Sequence, residues 1–144
     1  MEMAVRFLVH SGLDYDGILD VEEFIDEGIV TLGRQQNAIE SVSKIPLTFG
    51  LLHEALQGNA LRRFQDGRHV GRVSLVGLET IAVGIARNLN SILALGTAGA
   101  VEFIKVKAQT LWDQPDCAGF NSLGLRGTTR IQRTIPFGTR WFRP

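Results

Sequence analysis

Cysteine occurs once in these 144 residues, tyrosine once, and tryptophan and methionine twice each. Cys117 has no second thiol to pair with, which excludes a disulfide scaffold, and no Cys/His cluster has zinc spacing. A reducing compartment, the cytoplasm, is the expectation. Charge of one sign is also lacking, since 15 basic and 15 acidic residues cancel. A leader is not expected either: MEMAVRFLVHSG has neither a basic start with an unbroken apolar core nor a small-residue cleavage site. No apolar run is long enough to suggest a membrane partner. The most apolar stretch, Val73 to Leu95, is interrupted by Glu79, Arg87, Asn88 and Asn90, which reads as a core helix and not a span.

What is present is a composition of one ordinary globular domain, 44% apolar and 21% charged, long enough to bury a core without staples. The cancelling charges are unevenly placed. Residues 1–40 hold nine acids against Arg6 and Arg34, whereas 117–144 hold five arginines and no acid. Two readings stay open: the ends pack together or face solvent, or the basic end contacts nucleic acid.

The periodicity predicts an all-α, irregular single-domain helical bundle of about five or six helices. Its parts are an acidic helical front (1–57), a basic connection (58–72), core helices (73–114) and a basic, Gly/Thr-rich tail with a short helix (115–144). A first helix from Met3 ends at Ser11-Gly12. Asp20-Val-Glu-Glu23 fits a capping box, with Leu19 and Phe24 at the staple positions, so a second helix starts near 21 and stops near Gly33. Asn37 offers a cap for a third, which Pro46 is expected to break or kink before Leu47 to Leu56. Arg62, Arg63, Arg68 and Arg72, with Gly67 and Gly71, read as a basic connection containing breakers. Ser74 caps a long central helix with Leu78, Ile81, Ile85, Leu89 and Ile92 at helical spacing. A further helix covers about 98–112, and a short one runs from Thr128 to Ile135, bounded by Pro136.

Sites of chemistry are few. Residues 12–23 look like an EF-hand loop with Asp14, Asp16, Asp20 and Glu23 as oxygen ligands and Gly17 at the turn, which makes calcium binding the alternative function. Gly12 stands at the first ligand position, however, and the same residues are explained by a turn and a capping box. His10, His53 and His69 have no helical partner at four residues and read as packed or surface residues. Cys117 reads as a passive thiol. No phosphate-loop motif occurs, Glu22 and Asp26 read as a solvated face, and no cofactor is implied. In the tail, Arg126, Arg130 and Arg133 are spaced to share a helix face, and Trp141 and Phe142 are interleaved with Arg140 and Arg143. Such a surface holds phosphates and stacks a base; equally, it closes the bundle with its aromatics buried and its arginines on the acidic front.

The order of segments resembles the C-terminal helical portion of the GmrSD-type restriction family. The likeness is carried by Glu2-Met-Ala-Val-Arg-Phe-Leu with Tyr15-Asp-Gly and Phe24-Ile-Asp, by Ala60-Leu-Arg-Arg-Phe, and by the stretch from Arg72 through Gly84-Ile-Ala-Arg-Asn. Gly127-Thr-Thr-Arg-Ile, Ile135-Pro-Phe-Gly and Phe142 are similar to its close. The family's Asp-Gly-Gln-Gln-Arg motif has no counterpart; Gly33-Arg-Gln-Gln-Asn37 lacks the leading acid and the closing arginine. The resemblance therefore implies a non-catalytic module connected with anti-phage restriction. Its implied partners are DNA through the two basic stretches, a subunit carrying the N-terminal half, or a second copy of the chain. A remnant, half of a split protein, and a mobile-element product that binds a small ligand are the corresponding origins.

Overall fold

The computed structural model describes residues 2–144. Two local signals open the fold as expected. α1 (Glu2–Gly12) is followed by α2 (Val21–Arg34), whose N-cap Asp20 accepts a hydrogen bond from the Glu23 N–H at 2.9 Å. Phe24 and Leu19 then pack with Val9, Ile25 and Leu32 in a small apolar cluster between the two helices.

α3 (Ala38–Leu56) runs unbroken through Pro46, against the expected interruption. Pro46 has no N–H for the Val42 carbonyl, but both residues stand on the exposed side, where solvent reaches the released oxygen. The opposite side is held in the core by Leu51, Leu52 and Leu56. Asn37 precedes the helix without a side-chain capping bond.

The basic connection is a β-hairpin, β1 (Arg63–Gln65) paired antiparallel with β2 (Arg68–Val70), where the sequence reading placed only a linker. Asp66 (φ 52°) and Gly67 (φ 75°) make the two-residue turn. Both central residues need positive φ in the turn that suits strand twist, which is why Asp-Gly is favoured there.

Ser74 caps the central segment as expected, accepting from the Gly77 N–H at 3.0 Å. The segment is not one regular helix. α4 (Leu75–Gly77) passes into a π turn over Leu78–Ala82, then into α5 (Val83–Arg87), and Asn88 separates this from α6 (Leu89–Leu93). Leu78, Ile81, Ile85, Leu89 and Ile92 are all buried, as their spacing implies, although the backbone departs from a regular helix. α7 (Thr97–Thr110) packs along α3 and ends in short 3-10 turns at Leu111–Asp113 and Pro115–Gly119.

α8 (Gly127–Trp141) is twice the expected length and also continues through its proline. Pro136 and Gln132, the residue whose carbonyl loses its partner, are both exposed, the same arrangement as in α3. Its inner side buries Ile131, Thr134, Ile135, Phe137 and Gly138, with Phe142 fully enclosed just beyond. Packing of α1 and of α8 on the π turn and α5 joins both ends of the chain to the central segment, giving an all-α fold with one small hairpin. No helix among the described residues is long and apolar enough to cross a membrane.

Candidate functional site

The charged groups divide into those consumed by the fold and those left on its surface. Arg6 is buried and bonds Glu2 (3.0 Å) and Glu22, tying α1 to α2. Arg87 reaches from α5 to the end of α1, donating from Nε to the His10 carbonyl (2.9 Å), from Nη2 to the Leu13 carbonyl (2.8 Å) and from Nη1 to Asp14 (2.7 Å). A guanidinium suits this position because the last carbonyls of a helix lack internal donors and carry partial negative charge. Arg130 is paired inside the molecule. Its Nε and Nη2 donate to Glu79, which is only 2% exposed, and Thr134 Oγ1 donates to the same carboxylate at 2.8 Å.

These pairings correct the expected arginine face. Arg126 lies ahead of α8 with extended backbone, Arg130 turns inward, and Arg133 turns outward. Arg62 is also structural, donating to the Gly71 carbonyl and to Asn59 Oδ1, both at 2.8 Å, and so fastening the hairpin base. Exposed arginines remain at Arg34 on the acidic front and at Arg63, Arg68, Arg72, Arg126, Arg133, Arg140 and Arg143 on the two basic stretches, none in a salt bridge among the described residues. The alternation of the strands puts Arg63 and Arg68 on one face of the hairpin, opposite the Phe64–His69 contact.

Each basic stretch has a residue that influences the turn Pro115–Gly119. Arg63 is near enough to Cys117 to oppose the upward shift of its thiol, which burial and Asp116 nevertheless push to about 11. Asp116 in turn lines a surface cleft of about 370 Å³ with Arg133 and Arg140 on α8. Trp141 is occupied: its Nε1 donates to the Lys107 carbonyl at 2.9 Å, its ring stacks on Phe137, and Lys107 Nζ lies 4.4 Å from the ring centre. It is a wall of the fold and not a free stacking platform. The expected burial of the other aromatic holds, since Phe142 is enclosed.

The acids of the loop do not converge. Asp14 binds Arg87, Asp16 accepts from the Ile18 N–H, and Asp20 is spent as the cap of α2, with Glu23 exposed on its first turn. Among the described residues no group of three His, Cys, Asp or Glu is arranged to hold a metal ion.

His10 is the buried titratable group that the sequence could not distinguish. It lies 1% exposed against Phe24, with neither ring nitrogen hydrogen-bonded. Burial, reinforced by Arg6, Arg87 and Arg130, lowers its pKa to about 4. The unfolded chain, with an ordinary histidine near 6.5, binds the proton first, so stability is complete above pH 6.5 and is lost as pH falls toward 4. The loss amounts to at most ~3 kcal/mol. Urea unfolding of the wild type and of His10→Phe across this window is expected to show a flatter profile for the variant; parallel profiles would assign the pH dependence to other groups.

Neither family models, curated proteins nor solved structures give a match to this chain.

Proposed function

We propose that this chain is a non-catalytic helical interaction module that contacts nucleic acid through its exposed arginines, in keeping with its resemblance to the C-terminal helical part of GmrSD-type anti-phage restriction proteins. The observation that carries this reading is the division of the arginines. The acidic front neutralises Arg6 and Arg87, and Arg130 is held by Glu79, whereas the hairpin and the outer side of α8 keep their arginines without acidic partners among the described residues. Exposed guanidinium groups gain most from phosphates, whose bound counterions they release.

The non-catalytic part of the reading is supported by the state of the buried reactive groups. Cys117 is held as a thiol, His10 as a neutral, enclosed imidazole, and Glu79 is saturated by Arg130 and Thr134. A nucleophile or base needs a matched pKa and access to its substrate. An association with a partner subunit is the outcome if nucleic acid is refused.

Binding to a labelled DNA duplex, followed by anisotropy at increasing salt, tests the reading. Wild-type affinity is expected to fall steeply with salt, and Arg63→Ala/Arg68→Ala is expected to lower the logarithmic salt slope by about 2, one per lost phosphate contact. Absence of binding to both duplex and single-stranded DNA at low salt would overturn the nucleic-acid reading, and a native-lysate pull-down would then test the subunit reading.

A further inference from the structure

We infer that the cleft on the outer side of α8 is a subsite for one nucleoside phosphate unit, the phosphate held by Arg133 and Arg140 and the sugar and base lying on the apolar floor between them. The inference rests on the nucleic-acid reading above and gives it a place and a ligand form.

The cleft is built by α8 and the Pro115–Gly119 region together. Arg133 and Arg140 are seven residues apart, and seven residues bring an α-helix to within about 20° of its starting direction. Both arginines therefore belong to one stripe, and both line the same open surface cleft of about 370 Å³, a volume at the small end of ligand-binding clefts. Pro136 lies exposed between them and forms the apolar floor, backed from beneath by Phe137 and Phe120, which are themselves buried.

The floor is rigid before any ligand arrives. Phe137 is held edge-on by Phe120 at 5.5 Å and in a stack by Trp141 at 5.9 Å, and Trp141 is itself anchored on the Lys107 carbonyl. Little ordering remains to oppose binding. Neither arginine has an acidic partner among the described residues, so their donors are available for a phosphate.

The chemistry of the walls selects among anions. Asp116 also lines the cleft. A carboxylate only accepts hydrogen bonds, so it repels a bare phosphate dianion while offering an acceptor to a base amino group. The apolar floor is of no use to a duplex, which presents backbone and keeps its bases stacked, but it accommodates a nucleotide that has left the stack. A single strand supplies such units in series, with neighbouring phosphates free to reach the other exposed arginines. A free mononucleotide supplies the same unit alone.

Fluorescence anisotropy with labelled ten-residue oligodeoxycytidylate is the test, with a ten-base-pair duplex, cytidine monophosphate and inorganic phosphate as competitors. Arg133→Ala/Arg140→Ala is expected to weaken single-strand binding at least tenfold, while Arg34→Ala, at the exposed end of α2, leaves it unchanged; circular dichroism melts check that both variants fold. The monophosphate is expected to compete at lower concentration than inorganic phosphate. The cleft is refuted by single-strand binding that the double variant leaves intact, or by phosphate competing as well as the nucleotide. Arginine-dependent binding of the mononucleotide without strand binding keeps the cleft but overturns the nucleic-acid reading. Loss of duplex binding alone in Arg63→Ala/Arg68→Ala would assign the hairpin and the cleft to separate contacts. No binding of any of these probes by the wild type overturns both proposals.

Discussion

Glu79→Ala is expected to lower the free energy of unfolding by about 3–5 kcal/mol, and Arg130→Ala by a similar amount. Each leaves an ionic partner buried without compensation. The Glu79 side chain is 3% exposed and that of Arg130 19%, so water does little to replace what is lost. The carboxylate accepts three bonds from the guanidinium and one from Thr134. Removing the arginine leaves it with the hydroxyl alone. Replacing both partners by apolar residues of similar size, as in Glu79→Met/Arg130→Met, is expected to recover most of the loss, because the cost lies in the unpaired charge and not in the absence of a pair. Urea unfolding of the three variants reads this directly. If Glu79→Ala costs less than about 1 kcal/mol, the pair is more hydrated than its geometry implies.

Gly138→Ala is expected to cost roughly 3 kcal/mol, the upper part of the usual range for overpacking, and to lower the melting temperature on the order of 10 °C. A Cβ at this position falls 2.7 Å from Thr80 Cα, and one at Gly84 falls 2.6 Å from the Gly138 carbonyl oxygen. The obstacles are backbone atoms of the facing element, which cannot rotate away as a side-chain tip does. Separation of α8 from the π turn would also stretch the Glu79–Arg130 contact on the same two elements, so the two losses are not expected to add. The same substitution at Gly33 or Gly50 meets nothing within 4 Å, and there alanine is expected to stabilise by about 0.4–1 kcal/mol through reduced freedom of the unfolded chain. Thermal melts of the three alanine variants give opposite signs for one chemical change. A neutral Gly138→Ala would mean that α8 is free to shift outward.

How far the sequence was legible follows from the range of each signal. The caps at Asp20 and Ser74 involve neighbours three residues apart, and both side chains accept the expected N–H, although the return bond from Asp20 N–H to the Glu23 side chain, which would complete the capping box, is not formed. Pro46 and Pro136 do not end their helices, because the cost of a proline is local whereas the compensation is not: both stand where solvent reaches the orphaned carbonyl, and the packed opposite side keeps each helix continuous. The hairpin carried a usable signal in Asp66-Gly67 between Arg-Phe-Gln and Arg-His-Val, which the density of arginines and glycines concealed. At the candidate site, Arg133, Arg140 and the hairpin arginines Arg63 and Arg68 lie exposed, as a surface contact with phosphates requires. Arg130 was not separable from them, because its partner lies 51 residues away and the helical spacing of 126, 130 and 133 is compatible with either destination. The burial of His10 and the anchoring of Trp141 on Lys107 are likewise products of tertiary contact, with no local mark.

The π turn fixes a count of residues as well as a set of contacts. Gly77 and Gly84 are seven apart, which in uninterrupted α-helix would place them nearly in line. Gly77 abuts the Leu61 carbonyl and Gly84 abuts α8, two neighbours on different elements. One additional residue in the turn shifts the phase by about 100°, which lets a single continuous segment offer a bare backbone surface to each. Deleting one residue between Leu78 and Ala82 would restore ordinary phase and rotate everything downstream, so that Glu79 and Gly84 could not both face α8. The segment is thus expected to tolerate changes of residue type at several positions and changes of length at none.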